Sequence, residues 1–196
     1  MKNTTLYTLL IVLFIPFTAF TQEYEVYKTN QWGIEEKAGE IHESEIDNSL
    51  EIYETNEFGL QEKTKEIRKQ TFSDDYNIID YENSVIPQKT GEIQRDEFNN
   101  SYEFYQNNQW GIPEKTGEAK YDSWDNSYEI YRNNEYGIPK KQGEIRKNTW
   151  NNSYEIYEQN EWGIPVKKGE IRKQGFDFST PENNNNDSDF NWDWVK

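Results

Sequence analysis

An aromatic-glycine pair recurs along this chain on a fixed grid. Its glycines fall at 33, 59, 111, 137 and 163, spaced by 26 residues or by twice 26. Val85 occupies the missing grid point. A period of this length means a stack of small supersecondary units, since one unit cannot bury its own apolar face. Taking Tyr24 as the start, six units without insertion begin at 24, 50, 76, 102, 128 and 154. They define a repeat domain over 22–179, followed by a segment 180–196.

Each column of the repeat has a physical reading. The first holds Tyr24, Leu50, Tyr76, Tyr102, Tyr128 and Tyr154; two places on stand Val26, Ile52, Ile78, Phe104, Ile130 and Ile156. Apolar residues at a spacing of two, mostly β-branched or aromatic, specify a strand with one buried face. Asn30, Asn56, Asn108, Asn134 and Asn160 mark a turn. Beyond it, Trp32, Phe58, Ser84, Trp110, Tyr136 and Trp162 precede Ile34, Leu60, Ile86, Ile112, Ile138 and Ile164 by two, which predicts a second strand. A third short strand is expected to carry Ile41, Ile67, Ile93, Ala119, Ile145 and Ile171, with Ile46, Phe72, Phe98, Trp124, Trp150 and Phe176 five residues later.

The expected hairpin has a three-residue loop, Gln106-Asn107-Asn108 in the fourth unit, with Phe104 facing Trp110 and Tyr102 facing Ile112. Val85 in the aromatic-glycine column argues that this glycine serves close packing, because a β-branched residue would resist positive φ. Pro87, Pro113, Pro139 and Pro165 lack a backbone donor, so they are expected to end the second strand or sit at an edge. Ser84 and Val85 together imply a local distortion in the third unit.

The fold expected is all-β: a tandem β-hairpin array or β-solenoid of six units, with a small-bladed propeller or a closed twelve-stranded barrel as alternatives. Mean hydropathy of -1.17 and 30% charged residues would suit a disordered chain. The 16% aromatic content, placed at regular intervals, opposes that.

Two charged columns are complete: Lys37, Lys63, Lys89, Lys115, Lys141, Lys167 and Glu40, Glu66, Glu92, Glu118, Glu144, Glu170. A third, Glu25, Glu51, Glu103, Glu129, Glu155, is interrupted by Asn77. A lysine row beside glutamate rows reads first as a neutralised, solvated face. Tyr27, Tyr53, Tyr105, Tyr131 and Tyr157 share a face with Glu103, Glu129 and Glu155, and together they form the candidate ligand surface for a glycan or a surface protein.

Residues 1–21 read as an export signal, with Lys2 before a short apolar run over 5–20 and cleavage expected after Thr21. That run is shorter than the roughly 20 residues that span a bilayer, and no second apolar span follows. An exported location is expected: periplasmic, cell-surface or extracellular. The net charge of -16 disfavours nucleic acid and anionic membrane as partners. The absence of cysteine excludes disulfides and a lipidated N-terminal cysteine.

Catalysis needs an asymmetric group of acid, base or nucleophile, and near-equal repeats supply none. His42, the single histidine, reads as an incidental loop residue. Asp187, Asp189, Asn191 and Asp193 alternate as at the start of a calcium loop, but Trp192 stands where glycine is required. No catalytic residue, metal ligand or cofactor is therefore expected. The function expected is an exported, non-enzymatic binding or structural module, with a carbohydrate-active enzyme or its accessory as the alternative. Phe190, Trp192 and Trp194 alternate with polar residues as in a strand, and are expected to cap the open edge of the array.

Overall fold

In a computed structural model of the chain, residues 23–44, 46–82 and 86–174 are described. They form twelve antiparallel strands: β1 Glu23–Thr29, β2 Glu35–Glu43, β3 Leu50–Thr55, β4 Gln61–Lys69, β5 Tyr76–Asp80, β6 Gln88–Asp96, β7 Ser101–Asn107, β8 Pro113–Asp122, β9 Ser127–Asn133, β10 Pro139–Asn148, β11 Ser153–Gln159 and β12 Pro165–Lys173. Each strand pairs with its sequence neighbours, and β1 pairs with β12, so the hairpin array closes into a barrel. Closure leaves no free edge. The expected edge cap therefore loses its reason, and the residues assigned to it lie outside the described ones.

Each repeat contributes one hairpin of two strands. The columns of Tyr24, Val26 and Ile41 point inward and form one apolar cluster, with Ile41, Ile52, Ile93 and Ile171 fully buried. The outward face carries the Glu, Lys and Tyr columns. A bilayer-spanning barrel needs an outward apolar band; this barrel has an ion-paired outer face and an apolar interior.

The expected register is corrected. Asn107 pairs with Pro113, so the loop is the five residues 108–112; Phe104 lies opposite Gly117 and Tyr102 opposite Ala119. The Trp110 and Ile112 columns are loop residues, and the expected second and third strands are a single strand that begins after them. Asn108 explains why. Its side-chain oxygen accepts the amides of Trp110 and Ile112 at 2.9 and 3.1 Å, and its Nδ2 donates to Glu114 at 2.7 Å. Asn30, Asn56, Asn134 and Asn160 accept the same pair of amides. One asparagine thus supplies the acceptors that a strand partner would otherwise provide. Pro113, Pro139 and Pro165 do not end strands; they open β8, β10 and β12, where a missing donor is tolerated.

The expected role of the aromatic-glycine column is corrected. Gly33, Gly59, Gly111, Gly137 and Gly163 sit at φ 73–77°, and a β-carbon there would meet nothing within 4 Å. They are needed for the turn, not for packing. The close approach belongs to the later column, just after a β-bulge that occurs in every hairpin. A β-carbon on Gly39, Gly91, Gly117, Gly143 or Gly169 would lie 2.1–2.4 Å from the carbonyl oxygen of a tyrosine in the following unit. For Gly169 that tyrosine is Tyr27, across the closing seam. Ser84 and Val85 lie outside the described residues.

Candidate functional site

The strand-to-strand register gathers the charged columns into one lattice on the outer face. Lys63 Nζ lies 2.6 Å from Glu51 and 2.8 Å from Glu66; Lys141 lies 2.5 Å from Glu129 and 3.1 Å from Glu144. Lys37, Lys115 and Lys167 bridge the two glutamate rows in the same way. In the third unit Asn77 replaces the glutamate, and Lys89 is salt-bridged to Glu92 at 2.5 Å.

The tyrosines of the candidate ligand surface belong to this lattice. Tyr27, Tyr53, Tyr105, Tyr131 and Tyr157 each donate to the glutamate two residues earlier at 2.8–2.9 Å. The structure therefore brings Glu103, Glu129 and Glu155 together with their tyrosines, as expected from alternation. The phenol edges are half-buried and engaged. Arg172 covers the Tyr27 ring at 4.5 Å and Arg146 the Tyr157 ring at 4.8 Å.

The electrostatics follow from this pairing. Burial would raise the Glu40 carboxyl, but hydrogen bonds from Lys37 and neighbours bring it down to about 2. Glu170 behaves alike under Arg172 and Lys167, also reaching about 2. Lys37 is correspondingly raised by its hydrogen bonds to Glu25 and Glu40. His42 is a strand residue rather than a loop residue, with Nε2 2.9 Å from Glu40 and its ring edge-on to Tyr53.

Two exceptions to the repeat prove to be neighbours. Lys65 replaces the close-approach glycine of the second unit, and Ile79 replaces the tyrosine of the third; β4 and β5 pair there, with Lys65 opposite Asp80 and Glu66 opposite Ile79. Lys65 Nζ is buried and salt-bridged to Asp80 at 3.3 Å and Glu82 at 3.1 Å. Tyr81 donates to Glu66 at 2.7 Å, and Lys63 Nζ lies 4.6 Å from the centre of its ring.

Sequence alternation placed one set of highly exposed apolar groups in strands and gave the other no position in the fold. One end of the barrel is crowned by Trp32, Phe58, Trp110, Tyr136 and Trp162, each 77–79% exposed, with Ile34, Leu60, Ile112, Ile138 and Ile164 beside them. The opposite end carries Ile46, Phe72, Phe98, Trp124 and Trp150, each at least 95% exposed. Two strand widths separate successive loops, about 10 Å, so each end presents a ring of apolar side chains. The sequence signal was present in the Asn-x-aromatic-Gly grouping, which is turn chemistry rather than strand chemistry.

No protein-family model and no curated protein sequence matches this chain.

Proposed function

We propose that this is an exported, non-enzymatic binding module that engages a surface glycan or surface protein through the Trp-Gly-Ile end of its barrel. The observation that carries the reading is the crown of Trp32, Phe58, Trp110, Tyr136 and Trp162, held in solvent on rigid, side-chain-braced turns. Exposed aromatic groups of this number mark interaction surfaces, and Trp and Tyr carry much of the energy at such surfaces. Rigid presentation lowers the ordering entropy of binding. The tyrosine-glutamate face of the outer wall supplies a secondary contact zone. The glutamates of that wall are held low by cationic partners, a state that suits fixed charge pairs rather than proton donation.

The test is retention of the mature chain, beginning at Gln22, on immobilised cell-surface polysaccharides and on outer-surface protein fractions. Saturable retention, reduced at least about tenfold by Trp110→Ala with Trp162→Ala, supports the reading. Retention unaffected by the double change removes the crown as the surface, and release of soluble sugar from the resin overturns the non-enzymatic assignment.

A further inference from the structure

The crown carries a charge pattern at its loop tips. Loops 30–34, 56–60, 108–112, 134–138 and 160–164 contain no lysine, arginine or histidine. Glu57, Glu135 and Glu161 stand next to Phe58, Tyr136 and Trp162, and all are exposed. Among the described residues these three carboxylates form no salt bridge and no side-chain hydrogen bond. Turn chemistry explains why. The neutral side chains of Asn56, Asn134 and Asn160 accept the loop amides, so no carboxylate is spent on them.

At the opposite end aspartate does that work. Asp96 accepts the amides of Phe98 and Asn99 at 3.0 and 3.2 Å, and Asp122 accepts that of Trp124 at 2.9 Å. Asp125 holds the Ser127 hydroxyl at 2.6 Å, and Asp74 is salt-bridged to Lys69 at 2.8 Å. Glu97 beside Phe98 is the one pair there that resembles the crown's among the described residues. Cations behind the crown loops do not cancel its charge. Lys65 is taken up by Asp80 and Glu82. Lys28, Arg132, Lys140 and Lys168 are outnumbered by Glu36, Glu54, Glu62, Glu114 and Glu158 on the same strand segments.

The outer wall shows what an aromatic ring beside a carboxylate takes up. Arg172 lies 4.5 Å from the Tyr27 ring centre and 3.0 Å from Glu170. Arg146 lies 4.8 Å from the Tyr157 ring centre and is salt-bridged to Glu144. Lys120 lies 5.3 Å from the Tyr131 ring centre and 2.5 Å from Glu118. Each cation is drawn both to the ring's negative face and to the carboxylate. At the crown tips the same two groups stand together and the loops supply no cation. A partner completes the set by bringing one. An acidic glycan or a phosphate polymer would meet carboxylates of its own sign, and a neutral glycan would leave them without a charge partner.

We propose that the crown docks a lysine- and arginine-rich protein surface, whose cations seat on Phe58, Tyr136 and Trp162 beside Glu57, Glu135 and Glu161. The proposal rests on the reading of the crown as the binding end and names the chemistry of its partner. Binding of the mature chain to an immobilised peptide of lysine, arginine and glycine, in about 0.15 M salt, tests it. Glu57→Gln with Glu135→Gln and Glu161→Gln is expected to weaken binding at least about fivefold. Glu23→Gln with Glu97→Gln and Asp125→Asn removes the same charge at the other end and should change it less than about twofold. Equal losses from the two sets overturn the proposal, because net charge alone would then be the attraction. Absence of binding by the parent chain overturns it too. Retention on a neutral glucan that the crown glutamate changes leave intact overturns it in favour of a sugar partner. Trp110→Ala with Trp162→Ala separates this inference from the reading beneath it. If that pair weakens binding and the crown glutamate changes do not, the cationic partner falls and the crown stands. If that pair has no effect on peptide or glucan binding, the crown itself falls.

Discussion

Gly143 on β10 and Tyr157 on β11 approach so closely that a β-carbon on Gly143 would lie 2.1 Å from the Tyr157 carbonyl oxygen. The same relation recurs around the ring and closes it, through Gly169 and Tyr27. The obstacle is backbone, so a side chain can be admitted only by moving a strand. Gly143→Ala is therefore expected to destabilise by about 2–3 kcal/mol. Gly137→Ala, at φ 74° with open space around it, should lose only about 1 kcal/mol from backbone strain. Urea unfolding of the two variants checks the order. Equal losses would mean that the sheet yields freely at the bulge.

Acid should weaken the barrel through the outer lattice. Glu40 and Glu170 fall from the ordinary 4.5 to about 2 in the folded chain. A carboxylate with a depressed folded pKa contributes stability that is fully present above its unfolded value and is lost as pH falls through the folded one. Stability is thus expected to decline between about pH 5 and pH 2. Lys167→Gln should flatten part of that decline, because Glu170 then loses a hydrogen bond that lowers it. Thermal melts across this range test the point; a pH-independent melting temperature would contradict it.

The lattice also ranks its own lysines. Lys141 joins Glu129 to Glu144, whose side chain is 7% exposed, whereas among the described residues the Lys89 salt bridge is to Glu92 alone. Removing Lys141 leaves a nearly buried carboxylate with Arg146 as its remaining cation. Lys141→Met is expected to cost about 1–2 kcal/mol, discounted for the partly exposed lysine, and Lys89→Met less than about 1 kcal/mol. Denaturant midpoints of the two variants decide the ranking, which fails if Lys89→Met is the more damaging.

The period, the all-β class and the separation of faces were legible because alternation along Tyr24-Val26 and along Glu25-Tyr27 is a direct image of the pleat. A lysine row beside glutamate rows was legible for the same reason; that each of Lys37, Lys63, Lys115, Lys141 and Lys167 bridges two glutamates comes from the register. The register was not. Trp110 and Ile112 alternate as a strand would, and nothing in apolar spacing reveals that Asn108 takes both amides for itself. The roles of the glycines were obscured by a substitution at Val85. Closure of the ring depends on twist and stagger summed over twelve strands, a property that no single repeat displays.

The third unit should open first. Its leading strand β5 has five residues where the equivalent strands have six or seven. Asn77 removes a glutamate from the lattice, and Ile79 replaces a tyrosine whose hydroxyl elsewhere donates to the glutamate two residues earlier on its own strand. The partial remedy, Lys65 with Asp80 and Glu82, spends a buried charge where other units use a compact glycine. Local opening follows the number of buried contacts and braced hydrogen bonds. Amides of β5 and β6 are therefore expected to exchange before those of β9 and β10, which belong to the fifth unit with every column filled. Exchange measured by fragment on the intact chain separates the two pairs. Earlier opening of β9 and β10 would show that the Lys65 cluster stabilises its seam beyond the glycine-tyrosine contact it replaces.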